Sequence, residues 1–106
     1  MAKNPLYSSL RMLTKEISIN YTVEYHVDTV IVDASGGAVT ITLPEISNCG
    51  EGRIIRIVKI DSSANAVTIS CSGTDTIEGS ASITLANQYD KALLQTINSS
   101  TWARWV

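Results

Sequence analysis

The residues in this chain that could carry out chemistry are few: one histidine, two cysteines and ten carboxylates. His26 has no second histidine to complete a metal-ligand spacing, so it reads as a strand-edge or interface residue. Any serine or cysteine triad would have to run through it, and the serine-rich stretches contain no Gly-x-Ser-x-Gly. Asp75 and Glu78 share a turn and so could face one cation. They lack the Asp-x-Asp-x-Asp-Gly density of a calcium loop and read as a solvated turn. No carboxylate pair is signalled for glycoside cleavage. Cys49 and Cys71 match no zinc or thioredoxin spacing, which leaves a disulfide or two free thiols. No secretory signal is legible, so free thiols are expected. The chemistry-bearing residues thus predict no enzyme, no cofactor and no metal.

Two further groups suit binding. Arg53, Arg56 and Lys59 form the densest basic group beyond the first 20 residues. On a strand Arg53 and Lys59 share one face and Arg56 takes the other, so they make no single stripe. They are expected to solvate an edge or discourage edge pairing, with a salt bridge to a partner protein or a neighbouring subunit as the functional alternative. Trp102 and Trp105 are an odd number of residues apart and face opposite sides of an unbroken strand. One is expected in the core and the other at a subunit interface, where tryptophan is enriched, and both are subunit-interface candidates. The formal charge of -2 and pI near 5.2 leave no basic footprint for nucleic acid. No apolar stretch approaches the roughly 20 residues that span a bilayer.

The elements that must position these residues are strands. Asp33-Ala34-Ser35-Gly36-Gly37-Ala38-Val39-Thr40-Ile41 returns 28 residues later as Asp61-Ser62-Ser63-Ala64-Asn65-Ala66-Val67-Thr68-Ile69. Each copy has a β-branched run before it, a loop of small polar residues, and an exit in which apolar and hydroxyl side chains alternate. The two copies predict two similar hairpins, because a solenoid needs three or more stacked units. Leu6, Leu10, Leu13 and Ile17 recur at helical spacing and predict a short helix capped by Ser8 or Ser9. From Ile17 the period becomes two, which predicts a half-buried strand with Ile17, Ile19, Tyr21, Val23 and Tyr25 on one side. Lys3, Arg11 and Lys15 make this first stretch basic against an acidic remainder. Turn signals every 8 to 12 residues continue to Val106. The expected fold is all-β, a compact antiparallel sandwich or barrel of eight or nine short strands. Residues 1–27 form an arm and first strand, and residues 28–106 the β domain.

The run Val32-Asp33-x-Ser35-x-Gly37-Ala38-Val39-Thr40-Ile41-Thr42-Leu43-Pro44, its second copy, Gly73-Thr74-Asp75-Thr76-Ile77-Glu78-Gly79, Tyr89 and Trp102 together resemble a small β module of tailed-bacteriophage virion proteins. The resemblance spans about residues 28 to 106. It implies a commonly trimeric β fold found in tail fibres and capsid-decorating proteins, with no shared catalytic residues. With only an arm and one strand ahead of the module, the expected role is a capsid decoration, or cement, protein that binds the phage head as a homotrimer and stabilises it. Its partner would be the major capsid protein, contacted by Leu6, Tyr7, Leu10, Arg11, Leu13 and Lys15. Apolar burial at about 25 cal/mol per Å² would offset the ordering of such an arm. The alternative is a tail or tail-fibre component acting as a receptor-binding module, with a glycan as ligand. Either role places the protein on the virion surface after assembly in the host cytoplasm, with no nucleic-acid or membrane partner.

Overall fold

The two repeat copies lie side by side in the computed structural model, which describes residues 13–50 and 52–106. The strands are β1 (Thr14–Ile17), β2 (Tyr21–Thr22), β3 (Thr29–Val32), β4 (Val39–Thr42), β5 (Ile54–Lys59), β6 (Val67–Ser70), β7 (Thr76–Ile77), β8 (Ser82–Leu85), β9 (Lys91–Thr96) and β10 (Thr101–Arg104). They form a six-stranded sheet in the order β1-β3-β5-β9-β10-β7 and a four-stranded sheet in the order β2-β4-β6-β8. The fold is all-β, with ten short strands in two sheets around one core.

The expected hairpins are replaced by coils. After β3 the corner at residues 33–38 carries the chain across to the other sheet instead of back beside itself, and the next coil repeats the move. β3 therefore pairs with β5 and β4 with β6 in parallel, with Val39 opposite Val67, Thr40 opposite Thr68 and Ile41 opposite Ile69. A parallel partner has to arrive by a crossover, and one 28-residue repeat supplies it. The first coil is β1 and β2, parallel to β3 and β4, and it lacks the Asp-x-Ser signature, so the sequence shows two copies where the structure has three turns. The antiparallel expectation holds for β6 with β8, β5 with β9 and β9 with β10, which close the sandwich.

The first coil also changes the reading of residues 17–25. Thr14–Ile17 is extended, so no helix reaches Ile17, and the rest of that predicted helix lies outside the described residues. The chain then bends at Ser18 and Ile19, which breaks the expected single strand. Ile19 and Tyr25 end up exposed while Val23 is buried. The Thr40 N–H donates to Asn20 Oδ1 at 2.8 Å, which fastens this bend to the next coil.

The core is the stack of inward rows. Val30, Val32, Ile41, Leu43, Ile55, Ile57, Val67, Ile69, Leu85, Leu94 and Trp102 are all removed from solvent. Identical parity in successive coils puts like residues on top of one another, so the rows pack without a change of register. Cys49 and Cys71 are free thiols, half-buried against this core.

Candidate functional site

The carboxylates that might have done chemistry are spent on backbone. Asp75 Oδ2 accepts from Ile46 N at 2.9 Å and so anchors the 3-10 turn Ile46–Asn48. Glu78 Oε2 accepts from Arg104 N at 3.1 Å. His26 sits in an exposed loop, 3.7 Å from Glu24 Oε2 and edge-on to the Tyr25 ring. Among the described residues no group of three or more His, Cys, Asp or Glu is placed to hold a metal ion. Burial, reinforced by the Asp75 charge, pushes the Cys71 thiol up to about 11. Burial raises Cys49 as well, so neither is a ready nucleophile at neutral pH.

Arg53 and Lys59 hold the fold together, contrary to the expectation that they solvate an edge, while Arg56 stays exposed. Arg53 and Lys59 do share a face, and it is the inward one. Arg53 Nη1 donates to Asp28 Oδ1 at 2.8 Å and Nη2 donates to Val27 O, so it secures the connection between β2 and β3. Arg56, on the outer face, reaches Thr29 Oγ1 at 3.4 Å. Lys59 is wholly buried and donates to Asp61 Oδ2 at 2.6 Å, Ser63 O at 3.0 Å and Asp61 O at 3.1 Å. All three ammonium protons thereby have acceptors, so burial leaves no donor of Lys59 without a partner. Asp61 Oδ1 in turn accepts from Ala34 N at 2.7 Å, and Asn65 Nδ2 donates to Ala34 O at 2.8 Å. The third coil's corner thus satisfies both backbone groups of the second coil's buried Ala34. Burial acts to raise the Asp61 carboxyl, but Lys59, Ser63 and the Ala34 N–H outweigh it and hold it well below the usual carboxylate range.

The surface best suited to a partner is the outer face of the six-stranded sheet. β5 reads Ile54-Ile55-Arg56-Ile57-Val58, apolar on both faces, as strands covered on both sides do. Ile55 and Ile57 point inward, and Ile54 and Val58 outward. Register places Ile54 opposite Gln95 and Arg56 opposite Leu93. Trp105, 63% exposed, stands beside Leu93, because its N–H donates to Leu93 O at 2.8 Å. Ile54, Leu93, Gln95 and Trp105 line a shallow cleft of about 350 Å³. Arg104 fixes the rim, donating from Nε to Val106 O at 2.6 Å and from Nη2 to Lys91 O at 3.0 Å. The backbone on either side of Trp105 is therefore tied to β9 while its indole faces solvent, as an interface anchor would.

Of the two tryptophan interface candidates, Trp102 is wholly enclosed between the sheets and presents no surface, so only Trp105 is available. Ile54 and Leu93 escaped the sequence reading, although the two-sided apolar pattern of β5 signals a face that wants cover. Among the arm candidates, Leu6, Tyr7, Leu10 and Arg11 lie outside the described residues. Leu13 and Lys15 are exposed, Leu13 just before the edge strand β1 and Lys15 within it.

Residues 6–105 match the family model described as Bacteriophage T4 gp9/10-like protein, N-terminal. A comparison with curated proteins found no match.

Proposed function

Because the chain belongs to the bacteriophage T4 gp9/10-like N-terminal family of tailed-phage virion structural proteins, we propose that it is an assembly module of the tail or fibre apparatus, self-associating as a homotrimer through the outer face of the six-stranded sheet. The observation that carries this reading is Trp105, tied to β9 through its backbone N–H and exposed beside Ile54 and Leu93. An exposed aromatic on an aliphatic bed, with Arg56 and Lys91 beside it, has the composition of an interface centre with a charged rim. Such a module works mechanically: a rigid two-sheet body presents surfaces that neighbouring virion proteins bind. The role is structural.

Capsid decoration is the competing position on the particle, resting on Leu6, Tyr7, Leu10, Arg11, Leu13 and Lys15 as contacts to the major capsid protein. The family favours the tail and fibre side. Light scattering on the purified chain, followed by co-sedimentation with separated phage tails and with empty heads, tests both. A mass of three protomers or a multiple of three that pellets with tails, and loses both its threefold association and its pelleting in Trp105→Ser, is the expected result. A trimer that pellets only with heads would move the protein to the capsid, and a monomer indifferent to both particles would overturn the assembly role.

A further inference from the structure

The two sheets end in four edges, and among the described residues three of them are blunted. β1 carries two exposed charges, Lys15 and Glu16. Charges on an edge strand discourage further pairing. β2 and β7 are two residues long, and Ile77 of β7 is already bridged to Ser80. The fourth edge is β8, Ser82-Ile83-Thr84-Leu85, which has no charge, no proline and an unbroken register with β6. Edges left in this state invite another strand.

The hydrogen-bonding phase says which groups are on offer. Cys71 N donates to Ala81 O at 2.9 Å, and Ser70 lies opposite Ser82. In an antiparallel ladder bonded and non-bonded pairs alternate, so Ala81, Ile83 and Leu85 turn their backbone groups toward β6. Ser82 and Thr84 turn theirs outward. These outward residues are symmetric about Ile83, whose side chain is packed against the core yet half-exposed at the edge.

We propose that β8 pairs antiparallel with β8 of a second copy about a twofold axis through Ile83. This register sets Ser82 opposite the second copy's Thr84 and Thr84 opposite its Ser82, which makes four backbone hydrogen bonds. Ile83 meets its own counterpart as a non-bonded pair, with Cα atoms about 4.5 Å apart, and the exposed flank of its side chain is buried there. Faces match throughout: the two hydroxyl residues share the outer face, and Ile83 and Leu85 share the inner one. A dyad between residues 83 and 84 would set outward against inward residues and is excluded by the pleat. Two four-stranded sheets become one of eight. The contact is on the sheet opposite to Trp105 and is independent of that surface.

The test is disulfide trapping of Ile83→Cys in a Cys49→Ser, Cys71→Ser background, since a non-bonded antiparallel pair brings two Cβ atoms within bridging range. Oxidation should convert most of the chain to a covalent dimer on a non-reducing gel, in Trp105→Ser as well. Thr40→Cys, on the outer face of the same sheet, should stay uncrosslinked. In sedimentation velocity in the Trp105→Ser background, where only the β8 contact remains, Thr84→Pro should weaken dimerisation at least ~10-fold, because it removes two of the four bonds without touching the β6 ladder. Ile83→Lys should do the same in protein that still melts cooperatively, which covers the case in which the proline variant fails to fold. Failure of Ile83→Cys to crosslink, equal crosslinking through Thr40→Cys, or unaltered dimerisation in a folded Thr84→Pro or Ile83→Lys would each overturn the proposal. A Trp105→Ser protein that still crosslinks through Ile83→Cys but no longer trimerises separates the two surfaces.

Discussion

Lys59 and Asp61, two residues apart, meet at 2.6 Å inside the protein, the lysine fully and the aspartate almost fully withdrawn from solvent. The pair stands where one coil turns into the next, and through Asp61 it holds the backbone of Ala34 in the coil above. It takes the place that an apolar residue fills one coil earlier, where Val32 lies opposite Lys59. A charge is tolerated in that row because the corner carbonyls of Asp61 and Ser63 arrive at the same point.

Removing one partner of such a pair leaves the other buried and uncompensated. Lys59→Ala should therefore lose ~3–5 kcal/mol of stability. For a domain of this size that lowers Tm by more than ~10 °C, read by thermal melting with circular dichroism. A melt within a few degrees of the parent would show the pair to be dispensable.

The acid limb of stability should carry the signature of the same corner. The folded-state pKa of Asp61 is depressed, so its contribution is complete above the unfolded value near 4 and drains away as pH falls through the folded value. Asp33, lowered by hydrogen bonds from Ser35, shifts in the same sense from a more open position. Urea unfolding between pH 3 and 7 should show stability falling below about pH 4 in the parent. Asp61→Asn should be less stable at neutral pH and flatter toward acid, and an acid limb as steep as the parent's would contradict the assignment.

Thiol labelling should separate native from unfolded protein. With Cys71 pushed up to about 11 and Cys49 also raised, native protein at pH 8 should react many times more slowly than denatured protein, in which two thiols titrate. Here the folded pKa lies above the unfolded one. The stabilisation is thus intact below the unfolded pKa of roughly 8.5 and fades as pH rises through 11. Rapid native labelling of both sulfurs at pH 8 would sink this.

The two tryptophans should part company on substitution. Trp102→Ala empties a core site and should cost ~3–5 kcal/mol. Trp105→Ser should leave stability within about 1 kcal/mol, as surface changes do, while weakening self-association. Paired melts and light scattering on both variants check this, and a Trp105→Ser protein that assembles like the parent would remove the indole from the interface.

Much of this molecule was legible before its folding was known, and the limits of that legibility are physical. Alternation of Val, Thr and Ile at period two shows a strand with one buried face, because side-chain direction depends only on the strand's own backbone. The same alternation is silent about the direction of the neighbouring strand, since parallel and antiparallel ladders accept identical patterns. So Val39-Thr40-Ile41 and Val67-Thr68-Ile69 mark strands of one β body, and their pattern fits hairpins as well as it fits the coils they form. The first coil was hidden because its corner, Ser18-Ile19-Asn20, performs the turn without the Asp-x-Ser pair that marks the other two. The Trp105 surface was half legible: parity separated Trp105 from Trp102, but Ile54 and Leu93 lie 51 and 12 positions away in the chain and meet it only through β9.

What the sequence determined by itself is the all-β class, the strands of the two repeat copies with their inward parity, and the resemblance to tailed-phage virion modules, all properties of local pattern. What only the tertiary structure decided is which strand lies beside which, and from that the burial of Lys59, the bed beneath Trp105 and the open edge at β8. Those follow from stacking one coil on another, a relationship between residues 28 positions apart that no local propensity encodes.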